Sequence, residues 1–524
     1  MRLAYLVIVF VYVLLMLGIG AWCMRRTRSV GDFFLGGRSL GPWMSAFAYG
    51  TTYFSAVLFI GYAGKLGWGF GIHTMWIVLG NTLIGTILAW KLLAGRTREM
   101  TTRLNALTMP QFLGTRYGSP VMQIVSAVVV FVFLVPYSAS VYMGLSYLFE
   151  KALGLQYNQA LFFLAGLTGV YLIMGGYFAV ALSDFIRGIV EFAGVLVMVF
   201  LLAQAKGGFI QTTGALLSEP ERMAPGLFNS TTLGPAGWQV LAPGWLILLS
   251  LVLITSFGPW ALPQMVQKFY SLRSKSDVTR ALTIAGVFSL FMAFGAYYTG
   301  ALTHLFYTNP AVDFAPITNA ATQKPNLDLL MPHFITTQVP YWLVMVILLL
   351  VFSASMSSLS SLVLVSSSAV AIDVFGSFRK MDQKKTVRLL RLLCGVFVAF
   401  SLVIALKQPD VIVNLMVMSW GTLAGVFLAP YLFGLFWKGT TKAGAFAGIA
   451  AGLTCAISLF LLWGKDGIPL AGAITMFLPL VVVLTVSLVT RPVQPDILNR
   501  AFGSGDEAPT GQGQPAAAME EKVR

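Results

Sequence analysis

Tyr49-Gly50-Thr51-Thr52-Tyr53-Phe54-Ser55 is a polar, β-branched patch in the middle of an otherwise apolar run, residues 41–63. A second patch, Thr255-Ser256-Phe257-Gly258-Pro259-Trp260 followed by Pro263, interrupts the run 244–270. Pro259 and Pro263 each remove a backbone donor and clash with the preceding turn. At membrane depth, freed backbone groups are tolerated only inside protein or along a watery cavity. Both patches therefore predict helices unwound around a site.

Working outward from the breaks, apolar windows of at least eighteen residues recur from end to end. Of the 524 residues 57% are hydrophobic and 10% charged, against about 25% charged in a soluble domain. The fold class is an all-α polytopic membrane protein. Thirteen spans are predicted: 3–24, 41–63, 69–93, 120–148, 158–180, 181–205, 244–270, 278–306, 339–372, 388–407, 410–437, 443–464 and 468–490. The breaks fall in spans two and seven, five spans apart. Because an odd number of spans inverts a second copy, this spacing fits a 5+5 inverted repeat, spans 2–6 and 7–11. Such transporters hold solute and ion between the broken helices. The halves share no residue-level identity, so the repeat rests on the break positions.

The expected organisation is an N-terminal span in 1–30, a transport core in 31–437, two accessory spans in 438–490 and a disordered tail in 491–524. That tail is rich in Gly, Pro, Ala and charge. The net charge of +15 reports topology rather than nucleic acid. With the N-terminus outside and the C-terminus cytoplasmic, all but eight of the 34 Lys and Arg lie on the cytoplasmic side, the positive-inside bias of a multi-pass cell-membrane protein. Span one, followed by Arg25, Arg26 and Arg28 without a small-residue cleavage site, reads as a retained span. Cys23, Cys394 and Cys455 all fall in spans, which implies no disulfide framework.

The run 339–372 carries nine serines between Phe352 and Ser368. Ala354, Ser357, Ser358 and Ser361 recur at spacings of three and four and share one helix face. Lipid gives hydroxyls nothing to bond, so the stripe faces protein, water or an ion. Na⁺ is a hard cation that hydroxyl and carbonyl oxygens suit; close helix packing by small residues is the alternative reading. On these residues the chain reads as a Na⁺-coupled symporter of a small organic solute, with no organic cofactor. A proton-coupled or uncoupled carrier and a transporter-derived sensor are the rival readings. An enzyme is disfavoured by the lack of H-E-x-x-H, G-x-S-x-G or Cys/His metal spacing. The partners are a small solute and the bilayer; a monomer suffices.

Several segments resemble the sodium/solute symporter family, which includes the sodium–proline, sodium–galactose and sodium–sialate transporters. They are Asp32-Phe33-Phe34-Leu35-Gly36-Gly37-Arg38 with Pro42-Trp43, Thr108-Met109-Pro110-Gln111-Phe112-Leu113 with Arg116, and Gly175-Gly176-Tyr177 leading to Ser183-Asp184. Trp420-Gly421, Gly425, Pro430, Gly434 and Trp437, then Gly444-Ala445 and Gly448, complete the series in family order. The resemblance implies a LeuT-type fold and alternating access driven by inward Na⁺ flow, to which the membrane potential contributes roughly 2.3 kcal/mol per charge per 100 mV. It places the family's main sodium site at Thr51, Phe54, Ala354, Ser357 and Ser358. A second sodium site, present in some members, falls on Asp184, Ser357, Ser360 and Ser361. Arg187 and Glu191 follow Asp184 at helical spacing, so a structural ladder is the competing reading there.

Departures accompany the matches. Tyr53 stands where several members carry Asp or Asn. Span-seven residues of the proline transporter are replaced by Thr255 and Pro259, and a sugar-contacting glutamine becomes Leu58. Neither proline nor galactose is therefore assigned as cargo; a monocarboxylate or amino acid is the expectation. The solute cavity is expected to be lined by Phe257, Trp260, Gln264, His73, Trp76, Asn81, Asn414 and Trp420, and packing is the alternative role for each aromatic and for His73. No lysine or arginine is expected mid-membrane beside the breaks.

Overall fold

The computed structural model describes residues 2–24, 40–236, 238–319, 323–378 and 382–503. The tail from 504 and the motif Asp32–Arg38 lie outside them, as do the side chains of Gly175-Gly176-Tyr177.

The architecture is helical. Its principal helices are α1 (Arg2–Met24), α2 (Pro42–Tyr53), α3 (Val57–Leu66), α4 (Pro120–Leu153), α5 (Tyr157–Gln204), α6 (Gly244–Phe257), α7 (Pro263–Tyr270), α8 (Asp277–Phe306), α9 (Tyr341–Ser368), α10 (Gln383–Lys407), α11 (Ile412–Phe436), α12 (Lys442–Val489) and α13 (Pro495–Phe502). A two-stranded antiparallel ribbon, Ser230–Leu233 with Val240–Pro243, precedes α6. Nine helical stretches among the described residues are long and apolar enough to cross a membrane.

Some of those stretches hold more than one crossing. α12 contains 48 residues, about 72 Å at 1.5 Å per residue and far beyond a 30 Å hydrocarbon core. Gly464 at φ 62° breaks it into two helices. α5 is equally long, yet Thr168 bonds Met356 and a Cβ on Gly194 would touch Leu350. Those two partners are close on α9, so the chain reverses between Thr168 and Gly194. Gly71 at φ 51° makes the turn that separates α3 from the helical run 75–103.

Both expected breaks are present in the backbone. α2 ends at Tyr53, and Phe54 is extended at φ −110°, ψ 121°. Ser55 then restarts the helix: its carbonyl accepts from Leu58 and Phe59, and its hydroxyl from the Val57 amide. In the second patch, α6 ends at Phe257, Gly258–Trp260 form a 3₁₀ turn, and extended Leu262 leads into α7. Pro259 and Pro263 sit in first turns, where a missing amide proton costs nothing.

One expectation is corrected. Residues 495–502 of the tail form α13, which docks rather than remaining free. Its Phe502 lies beneath the Arg116 and Lys438 cations, and Arg103 donates to the Phe502 carbonyl at 3.1 Å. Apolar Ile497, Leu498, Ala501 and Phe502, set among Asp496, Asn499 and Arg500, carry the docking.

Candidate functional site

The serine stripe of α9 meets the first break directly. All of Phe352–Ser368 is buried. Ser357 Oγ donates to Thr51 Oγ1 at 2.8 Å. Ser358 Oγ lies 3.3 Å from the Thr51 carbonyl and 3.1 Å from that of Thr52, both at the end of α2. Ala354 is wholly buried one turn earlier. Thr51, Ser357 and Ser358 are thus in contact at the end of α2, with Phe54 three residues beyond Thr51 and Ala354 one turn before Ser358.

Beside this cluster lies a fully buried charged group. Asp184, Arg187 and Glu191 on α5 and Lys268 on α7 are all 0% exposed. Lys268 Nζ stands 3.8 Å from Asp184 Oδ2 and 3.0 Å from Ser361 Oγ. Arg187 Nη1 stands 3.6 Å from Asp184 Oδ1 and 3.4 Å from Ser360 Oγ. The expectation of no cation beside the breaks is corrected: near the end of a predicted span Lys268 reads as interfacial, but the second break turns α7 inward. Two cations here balance two carboxylates, which keeps a buried cluster affordable. A further unit cation 4 Å from either would be repelled by about 4 kcal/mol at an effective dielectric near 20.

A narrow, buried cavity adjoins the first break, with internal room of about 20 Å³, enough for a water molecule. Its lining is Tyr53, Phe54, Ser55, Val57, Leu58, Tyr62, Asn81, Thr255, Tyr297, Met416 and Trp420, every one of them buried. Tyr53 stacks on Phe54, ring centroids 4.5 Å apart, and on Trp420 at 5.9 Å. Its hydroxyl reaches the Thr255 carbonyl at 2.5 Å, joining the two breaks. Tyr62 Oη, Asn81 Oδ1 and Trp420 Nε1 are buried without a hydrogen-bond partner among the described residues.

Of the expected solute contacts, Trp420 and Asn81 line this cavity. Trp76 is 61% exposed on the outer surface, because a helix in lipid can turn its aromatic face outward. His73 follows the Gly71 turn and Phe257 packs on Phe477, both away from the lining. Trp260 donates to the Ile84 carbonyl at 3.0 Å, and Gln264 is buried on α7. Tyr62, Tyr297 and Met416 carried no sequence signal, since in an apolar chain a lining residue looks like any packing residue.

Contacts close both ends of the core. At one, Arg98 donates to the Leu272 and Arg273 carbonyls, and Lys275 pairs with Glu99 at 2.7 Å. At the other, Asp328 Oδ2 accepts from the Ile412 amide at 2.9 Å, pinning the start of α11. Burial pushes the Asp328 carboxyl up to about 6, opposed by the Ile412 amide and Lys65 and assisted by Asp410.

A sequence profile of the sodium:solute symporter family matches residues 33–452. The chain belongs to that family. This sodium:solute symporter is 30% identical over 458 residues to the high-affinity proline transporter PutP of Bacillus subtilis, covering 86% of this chain and 90% of that one. It is 26% identical to the osmoregulated proline transporter OpuE of the same organism, covering 92% and 94%. Among solved structures, a Na⁺-coupled sialic acid symporter in a substrate-bound, outward-open state superimposes with a TM-score of 0.75 at 16% identity, covering 94% of this chain and 98% of that one. The fold is therefore the LeuT-type transporter fold, and the family is one of Na⁺-coupled symporters of small organic solutes rather than of enzymes.

Proposed function

We propose that this symporter imports a small amino acid with Na⁺ by alternating access, with its N-terminus outside and its C-terminus in the cytoplasm. Na⁺ is held by the carbonyls of Thr51, Phe54 and Ala354 and the hydroxyls of Ser357 and Ser358. These are hard oxygen donors, and binding there would tie α2 to α9 in one conformation.

One observation carries the solute class. The cavity beside Phe54 is lined without an ionised side chain yet holds unpaired Tyr62 Oη, Asn81 Oδ1 and Trp420 Nε1. Buried polar atoms left unpaired are costly, so a ligand that satisfies them gains. The tyrosine and indole can donate to a carboxylate, and the asparagine oxygen can accept from an ammonium group. A small zwitterion meets both needs once alternating access widens the cavity. A monocarboxylate without a second donor would leave Asn81 unmet.

The test is uptake into proteoliposomes with proline, alanine and lactate as labelled probes, under an inward gradient of Na⁺ or choline. An amino acid should accumulate above its external concentration in Na⁺ alone. Equal accumulation in choline would overturn Na⁺ coupling, and uptake of lactate alone would overturn the zwitterion.

A further inference from the structure

Asp184 and the hydroxyls of Ser357, Ser360 and Ser361 together have the makings of a cation site: one carboxylate and several neutral oxygens, all buried. A cation already reaches into that set. Lys268 Nζ lies 3.0 Å from Ser361 Oγ and 3.8 Å from Asp184 Oδ2. Arg187 occupies the other flank, 3.4 Å from Ser360 Oγ and 3.6 Å from Asp184 Oδ1. An ammonium is a compact point charge that seeks the oxygen donors a sodium ion seeks.

The position also communicates with the main one. Ser361 Oγ pairs with Thr52 Oγ1 at 3.0 Å, and the Thr52 carbonyl lies 3.1 Å from Ser358 Oγ. Two hydrogen bonds therefore join Lys268 on α7, through Ser361 of α9, to Thr52 at the end of α2, and a third joins Thr52 to Ser358.

We propose that Lys268 is a tethered cation whose ammonium permanently fills the Asp184–Ser361 position, so that the protein takes up a single Na⁺, at the Thr51–Ser358 position. The lysine cannot leave with the solute, so its charge is not transported and the second position contributes no ion gradient to the cycle. What it supplies is the charge balance for Asp184 and a fixed link between α7 and the first break. This inference rests on the symport reading of the Thr51–Ser358 cluster.

The test is equilibrium binding of radiolabelled Na⁺ to the purified full-length protein without solute, with choline replacing Na⁺ at constant ionic strength. Bound label per protein at saturation counts the ions, and melting temperature reports folding. The wild type should bind one ion. In Lys268→Met, which removes the ammonium and leaves Asp184, a second ion should enter and the count should rise to two. Asp184→Asn/Lys268→Met, which keeps the local charge balanced, should return it to one and guards against a single variant that does not fold. A wild-type count of two overturns the tethered cation while leaving Na⁺ symport intact. A folded Lys268→Met that still takes one ion overturns it as well. No Na⁺ response in the wild type defeats the symport reading first, and the inference with it.

Discussion

The Tyr53 hydroxyl donates to the Thr255 carbonyl at 2.5 Å, so a side chain at the first helix break holds the last turn before the second. The two interruptions thus form one joint, clamped by a single side chain. Gly85 makes room for it: a Cβ there would lie 2.4 Å from Tyr53 Oη but 3.3 Å from Cζ.

Gly85→Ala should therefore displace Tyr53 and lower transport severely, with a stability loss of about 1–3 kcal/mol from overpacking. Tyr53→Phe removes the clashing atom and should recover part of that loss when combined with Gly85→Ala. Melting temperatures and uptake rates of the two singles and the double complete the cycle. Strict additivity would show that the two positions do not meet.

Ser358→Ala should weaken Na⁺ activation about five- to tenfold, the equivalent of the roughly 1 kcal/mol that a hydroxyl contact contributes. The loss of one oxygen should leave packing and expression nearly unchanged. The measurement is the half-saturating Na⁺ concentration for uptake, and a wild-type value would remove Ser358 from the ion site.

Asp328 provides a pH dependence. Its folded carboxyl titrates near 6, above its ordinary 3.8, chiefly because burial disfavours the charge. The folded state thus holds its proton more tightly, and this contribution to stability is complete below about 3.8 and lost as pH rises through about 6. Its size is on the order of 1 kcal/mol per pKa unit. Asp328→Asn, whose amide oxygen can still accept from the Ile412 amide, should melt higher than the wild type at pH 8, the difference shrinking toward pH 4. Parallel melting curves across that range would contradict the assignment.

Close backbone approach between α3 and α8 depends on Gly300, where a Cβ would lie 2.1 Å from the Ala63 carbonyl oxygen. Backbone cannot swing aside as a side chain can. Gly300→Ala should lower the melting temperature clearly, by about 1–3 kcal/mol or more of stability, and should shift the Na⁺ response of α3. An unchanged melt would mean that the helices separate freely.

Much of this architecture is legible in the residues. Pro259 and Pro263 cannot serve as ordinary mid-helix residues, and a polar patch such as Tyr49–Ser55 cannot face lipid, so both breaks follow from backbone chemistry. Nine serines in one apolar run likewise announce a face turned inward. The solute cavity was less legible. Trp76 and Trp420 are alike as residues, yet one is 61% exposed and the other 1%, because rotation of a helix in lipid costs an aromatic ring little. Lys268 was the least legible, its charge suggesting an interface.

By itself, the sequence determined that this chain crosses a membrane as helices, where those helices break, and which oxygens could face a cation. These are consequences of hydropathy, missing backbone donors and helical periodicity, all of them local. Only the tertiary structure decided that Lys268 reaches the Asp184–Ser361 position, that Tyr53 spans to Thr255, and that Tyr62, Asn81 and Trp420 share a cavity. Those relationships join residues tens to hundreds of positions apart, and they exist only once helix packing has fixed which faces meet.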